Sequence, residues 1–232
     1  MLYPVCQKAI FLSRPNRFIA YVEVNGKTEV AHVKNTGRCR ELLIEGREVI
    51  LEVSDNPARK TKYDLIAVYK EGELINMDSQ APNRAVEEWL RSGGLFPSPK
   101  RIKAETVFGN SRFDFYVETE GKAYFIEVKG VTLEEGGKVY FPDAPTERGT
   151  KHIKELIQAK KEGYGAQIIF VIQMQNATAF YPNFATDPSF SNALLQAQAE
   201  GVEILAYNTK VRENSMVIDR PVPIILQSGE TV

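Results

Sequence analysis

Residues 101–133 read RIKAETVFGNSRFDFYVETEGKAYFIEVKGVTL, and the spacing predicts three consecutive antiparallel strands over 102–108, 112–119 and 123–133. Gly109-Asn110 and Glu120-Gly121 supply the two turns, and the runs between them are rich in β-branched and aromatic residues. On the third strand Glu127 and Lys129 are two apart, so both side chains leave one face while Val128 points to the other. Asp114, flanked by Phe113 and Phe115 on the preceding strand, is expected to lie across from Glu127 and share that face. Two carboxylates and an ammonium then converge. Hard divalent cations take oxygen ligands and keep several waters, so Asp114 and Glu127 make a candidate Mg²⁺ or Mn²⁺ site for a phosphate substrate. Lys129 would orient a water or offset charge on the phosphate, and Glu105, one strand earlier, is expected as a third acid.

The Glu-x-Lys spacing by itself is uninformative, because about one such triplet arises by chance in a chain of this composition. Glu120-Gly121-Lys122 repeats the spacing in a turn with no acid opposite it. What distinguishes Glu127-Val128-Lys129 is the apolar run Ala123-Tyr124-Phe125-Ile126 that it interrupts, where unpaired charge is costly. A structural ion pair on an edge strand is the competing reading.

With 232 residues, 43% hydrophobic and 25% charged, the composition is that of a globular protein of one large or two small domains. No apolar stretch is long enough to span a bilayer, and the first residues lack a signal-peptide pattern, so a cytoplasmic location is expected. Cys6, Cys39, His32 and His152 are too scattered for structural zinc. Net charge is −1, with 29 basic against 30 acidic residues, so nucleic-acid binding would have to use local patches.

Residues 1–80 read as a small OB-like β-barrel. Strands are expected at 17–25 and 27–34 around Asn25-Gly26, then at 48–53, 63–69 and 73–77, with a short helix over 38–44 that Thr36 could cap. Arg17, Lys34, Arg38, Arg40 and Lys62, with Tyr21, Tyr63 and Tyr69 as stacking faces, suit a groove that tracks a nucleic-acid backbone. They suit solvated loops and an aromatic core equally well. His32 is either a neighbour of Lys34 or a structural side chain. The second domain, 81–232, is expected to open with a helix over 83–91 capped by Asn83, in which Glu87 and Glu88 read first as solvated helix charge and only second as a further acid for the site. After the three strands, helices are expected over 145–162 and 187–200 and buried strands over 166–173 and 202–207, giving an α/β (α+β) domain with a mixed central sheet. Lys103 and Arg112 lie beside the acidic site as candidate nucleic-acid contacts, whereas spacing alone makes Arg148 and His152, i and i+4 neighbours, only part of a helix surface.

Asp114, Glu127 and Lys129 resemble the PD-(D/E)xK nuclease core. Ser111-Arg112-Phe113-Asp114-Phe115, Glu127-Val128-Lys129-Gly130-Val131-Thr132-Leu133, Phe141-Pro142-Asp143-Ala144, Thr146-Glu147-Arg148-Gly149 with His152, and His32-Val33-Lys34-Asn35-Thr36-Gly37-Arg38 resemble the sugar fermentation stimulation protein A family. Phe113, rather than proline, precedes Asp114, and no Gln-x-x-x-Tyr follows. The resemblance implies DNA binding, metal-dependent phosphodiester hydrolysis, Arg148 and His152 near the site, and a link to sugar metabolism that no residue here expresses. The alternative is a non-catalytic DNA-binding regulator on a nuclease scaffold. RNA is a further compatible partner, and a homodimer would suit cleavage of two strands.

Overall fold

The computed structural model describes residues 1–35, 37 and 39–226. Thr36 and Arg38, expected as a helix cap and a nucleic-acid contact, lie outside the described residues. The first domain contains β1 (Cys6–Ser13), β2 (Ile19–Val24), β3 (Lys27–Val33), β4 (Glu48–Val53), β5 (Tyr63–Lys70) and β6 (Glu73–Asn76). Their order is β3-β2-β1-β4-β5-β6, and a parallel β3–β5 pairing closes the first five strands into an OB-type barrel. Two expectations need correction. β1 was not expected at all, and it supplies the fifth barrel strand, while β6 adds outside the closure. Residues 39–46 form turns rather than a helix, with Leu43 N–H bonded to the Cys39 carbonyl.

Barrel closure is marked by charge. His32 and Asp64 are register partners across β3 and β5. Asp64 is buried, accepts from or shares a proton with His32 Nδ1 at 3.0 Å, and receives two guanidinium bonds from Arg59, at 2.7 and 2.5 Å. His32 is therefore a structural side chain. Burial alone would raise the Asp64 pKa, but the Arg59 and His32 hydrogen bonds outweigh it and hold the carboxyl below its ordinary range. A depressed folded-state pKa contributes stability above the unfolded pKa and loses it as pH falls through the folded one. Arg59→Ala should thus cost about 1–2 kcal/mol at pH 7, a difference that shrinks to nothing once Asp64 is protonated. Urea midpoints measured from neutral to strongly acidic pH would show a constant offset if Arg59 were idle.

The second domain begins with α1 (Ala81–Arg91), followed by β7 (Arg101–Phe108), β8 (Ser111–Glu118), β9 (Ala123–Val131), β10 (Leu133–Glu135) and β11 (Lys138–Phe141). Then come α2 (Glu147–Lys161), β12 (Gly165–Ile172), β13 (Ala179–Pro182), α3 (Pro188–Ala199), β14 (Glu203–Arg212) and β15 (Ser215–Pro221). The main sheet runs β15-β14-β12-β9-β8-β7, with β9, β12 and β14 parallel and the flanking pairs antiparallel. All eight residues of β12 are buried, as its unbroken apolar run requires. The small second sheet, β10-β11-β13, and the edge strand β15 of the main sheet lie outside the expectations, since β13 and β15 carry no strong local signal. Among the described residues no helix is long and apolar enough to cross a membrane.

α2 and α3 start at side-chain caps. Thr146 Oγ1 accepts from Gly149 N at 3.0 Å, and Asp187 Oδ1 accepts from Phe190 N at 2.9 Å. The other Asp187 oxygen accepts from Thr146 N, which ties the starts of α2 and α3 together. α1 starts two residues earlier than expected, at Ala81 after Gln80, so Asn83 lies inside the helix and is not its cap. α1 packs on one face of the sheet, with Ala85, Val86 and Leu90 against Ile126 and Val128. α2 packs on the other, with Ile153 and Leu156 near Phe113 and Phe125.

Candidate active site

Phe113 belongs to the apolar layer under α2, yet Phe115 and Val117, two and four residues on, belong to the layer under α1. Strict alternation cannot do this, so the chain turns over at Asp114. The β8–β9 ladder ends at the same place, with Phe115 opposite Ile126. Asp114 is therefore not a ladder partner of Glu127. Its Oδ2 instead accepts from the freed Val128 N–H at 2.7 Å, and its Oδ1 accepts from Asn83 Nδ2 of α1 at 2.7 Å. The carboxylate is wedged into the gap between the strands.

Glu127 is 3% exposed. Its Oε1 accepts from Lys129 Nζ at 2.6 Å and lies 2.5 Å from His152 Nδ1, while its Oε2 is buried without a hydrogen-bond partner. Arg148 Nε approaches His152 Nε2 at 3.5 Å from the preceding turn of α2, which assigns the histidine proton to Nδ1, facing Glu127. Burial raises the Asp114 pKa and the nearby Glu127 charge raises it further, against the Val128, Asn83 and Lys129 interactions. Burial would also raise Glu127, but the His152 hydrogen bond and the Lys129 charge reverse the sign and hold it low. Neighbouring carboxyls with pKa values driven apart are characteristic of working sites.

Three acids were expected here, and two are present. Glu105 lies on β7 between the residues registered with Phe115 and Phe113, but its backbone adopts φ 50° and its side chain is exposed, paired with Arg112 at 3.3 Å. Glu87 pairs with Arg91, and Glu88 reaches the terminal ammonium, so neither faces the site. No group of three or more His, Cys, Asp or Glu able to hold a metal occurs among the described residues. The donor set is two carboxylates with one unpartnered buried oxygen, which fits a hard cation that keeps waters and a substrate phosphate in its shell.

Sequence reasoning missed the role of Asn83, which depends on α1 lying against the sheet so that its side chain reaches Asp114, and His152 proves to be a buried partner of Glu127 rather than a surface contact. Removing Asn83 strips a donor that favours ionised Asp114. On the expectation that Asp114 ligates a divalent cation, Asn83→Ala should weaken Mn²⁺ binding about tenfold, within the range for residues supporting a metal ligand, with little change in melting temperature. Unchanged binding in a calorimetric titration would assign the contact to helix packing.

The other basic candidates separate. Arg17 and Arg40 are exposed and line a cavity of about 620 Å³ on the barrel. Lys62 is exposed over the Tyr63 ring, and Lys103 and Arg112 are exposed on the β7–β8 hairpin. Lys34 departs from expectation. It is 18% exposed and committed to Glu52 at 2.9 Å and Asp78 at 3.3 Å in the seam between the domains.

The SfsA N-terminal OB domain model matches residues 12–77, and the sugar fermentation stimulation protein RE domain model matches residues 80–215. A sugar fermentation stimulation protein homolog of Ruminiclostridium cellulolyticum is 54% identical over 226 residues, covering 97% of this chain and all of that one. A homolog from Clostridium perfringens strain 13 is 55% identical over 225 residues, covering 96% and 98%. Among solved structures, Pyrococcus furiosus SfsA in complex with Ca²⁺ superimposes with a TM-score of 0.88 at 30% identity, covering 97% of this chain and 98% of that one. With both domains matched and the relatives aligned end to end, the chain belongs to the sugar fermentation stimulation protein family.

Proposed function

We propose that the chain is a divalent-metal-dependent nuclease that hydrolyses phosphodiesters, with DNA as its substrate and Mg²⁺ or Mn²⁺ as its cofactor. The observation that carries this reading is Glu127: a carboxylate held ionised in a buried position with one oxygen left unpartnered beside a second carboxylate. An uncompensated buried oxygen is costly unless something binds it. The relative from Pyrococcus furiosus is known in complex with Ca²⁺, a cation that also takes oxygen ligands.

Asp114 and Glu127 Oε2 would hold the cation, which supplies charge neutralisation at the phosphate and a more acidic water. His152 fixes the Glu127 carboxylate by its Oε1, and Arg148 fixes the ring from behind. Lys129 gives one N–H hydrogen bond to Glu127 and would turn its remaining donors toward the phosphate, where it offsets charge built up in the transition state. The exposed arginines and lysines of the barrel and the β7–β8 hairpin hold the backbone.

One observation favours the reading without chemistry, a DNA-binding regulator on a nuclease scaffold. Glu127 Oε1 is already satisfied by Lys129 and His152, as in a structural ion cluster. Calorimetric titration of Mn²⁺ into the wild type and Asp114→Ala, followed by cleavage assays on DNA, separates the two. The nuclease reading expects binding and cleavage that both vanish in the variant. Neither binding nor cleavage in the wild type supports the regulator.

A further inference from the structure

Between the barrel and the second domain lies a cleft of about 370 Å³. Its floor is Gly130, the residue directly after Lys129, and Gln173. These are pressed together: a Cβ on Gly130 would lie 2.5 Å from Gln173 Oε1 and 2.8 Å from Pro82 Cγ. Gln173 is 2% exposed, and its amide nitrogen is spent on Asn76 Oδ1 and the Asp78 carbonyl. One wall is Tyr140, backed by Tyr181 at 5.6 Å in a stacked arrangement. Asp143 also lines the cleft, and its Oδ2 would lie 3.0 Å from a Cβ on Gly37, where the barrel loop meets the second domain. Thr146, the cap of the helix that carries Arg148 and His152, also lines it.

This shape and chemistry suit one ligand class. The volume is near the lower end of small-molecule sites, roughly 300 to 1,000 Å³, enough for a single nucleoside and too narrow for a duplex. Among the described lining residues there is no lysine or arginine, and the one formal charge is the Asp143 carboxylate. The Asp143 carboxylate favours a hydrogen-bond donor over a phosphate at its end of the cleft. A flat ring with exocyclic amino groups would stack on Tyr140 and donate to Asp143.

We propose, building on the nuclease reading, that this cleft takes one unpaired nucleobase of the strand whose phosphate reaches Lys129. The substrate is therefore single-stranded DNA, or DNA with an unpaired end, and not an intact duplex. Extruding a paired base would have to overcome its stacking and pairing, which an already unpaired base avoids.

The test is fluorescence anisotropy of the full chain in EDTA with a fluorescein-labelled single strand and the blunt duplex of the same sequence, at one fixed salt concentration. This readout needs neither metal nor turnover. The single strand should bind about tenfold more tightly than the duplex. Asp143→Ala and Tyr140→Ala should each move that ratio toward one without weakening duplex binding. Oligo-dC should bind more tightly than oligo-dT, whose base has no amino group, and Asp143→Ala should erase the difference. Tyr140 is a ladder partner of Leu133, so its variant is checked by thermal melting, whereas exposed Asp143 provides a variant that leaves the ladder intact. Equal affinity for strand and duplex overturns the proposal, as does no binding of either or a ratio unchanged in Asp143→Ala. Retained strand selectivity without cleavage of any DNA in Mn²⁺ would overturn the nuclease reading alone.

Discussion

Glu127→Gln is expected to abolish Mn²⁺ binding and to reduce cleavage at least a thousandfold while the protein remains folded. Glutamine preserves the shape and leaves an amide oxygen to accept from Lys129 and His152, so the cluster around Oε1 keeps its geometry. The change is concentrated at the other atom. Where the carboxylate has a buried oxygen without a partner, the variant has an NH₂ group that repels a cation and finds no acceptor. Two effects on stability then oppose each other. Lys129, 18% exposed, loses its counter-charge, while Asp114 loses the like charge that raises its pKa. Bonds to charged groups contribute about 1.5–3 kcal/mol, and relief at Asp114 offsets part of it, so a net loss of about 1 kcal/mol is expected. If Glu127 were only a structural ion pair, the variant would be destabilised and nothing in a Mn²⁺ titration or cleavage assay would change. Retained activity in a folded Glu127→Gln protein would remove this site from consideration.

The legible parts of the fold were those carried by strong local pattern. The eight-residue buried run of β12 announces a central parallel strand, and Asn25-Gly26 announces the β2–β3 hairpin. β1 escapes the sequence reading because its apolar run, Ala9 to Leu12, shows no alternation, and only Ala9 and Phe11 are buried in a strand otherwise half-exposed. β13 and β15 are strands because of the neighbours they pair with, β11 and β14, and not because of their own sequence. Composition therefore under-reports elements whose stability is tertiary.

At the site, charge inside an apolar strand was enough to locate Glu127 and Lys129. The position of Asp114 was legible, but not its means of support, because the turnover between Phe113 and Phe115 breaks the alternation on which the reading relied. Glu105 was misplaced for a related reason. Register puts it near Asp114, and only its backbone, at φ 50°, turns the side chain out to Arg112. Asn83 and His152 come from helices on opposite faces of the sheet, so no spacing within one segment could pair them with Asp114 and Glu127.

Lys34→Met is expected to lower the melting temperature by roughly 6–12 °C while leaving DNA affinity nearly unchanged, the reverse of what its place in a basic segment suggests. Asp78, fully buried, receives hydrogen bonds from Tyr3 Oη at 3.0 Å and Gln80 N at 2.9 Å. Lys34 is the cation facing it, at 3.3 Å, and it also binds Glu52 at 2.9 Å. The same cluster reaches Asn76 and Gln173, so it joins the barrel, the linker and the second domain. Burial alone would lower the Lys34 pKa, but the Glu52 hydrogen bond and the Asp78 charge outweigh it and raise the value. A raised pKa contributes stability that is fully present below the unfolded value, so a measurement at pH 7 captures all of it. Methionine keeps the apolar stem and leaves Asp78 buried with neutral donors only. Breaking such a pair costs about 3–5 kcal/mol, and the partial exposure of Lys34 places the expectation near 3. For a chain of this size each kcal/mol shifts the melting temperature by about 2–4 °C. A tenfold loss of DNA affinity with an unchanged melting temperature would return Lys34 to the nucleic-acid interface and leave Asp78 without the cation assigned to it.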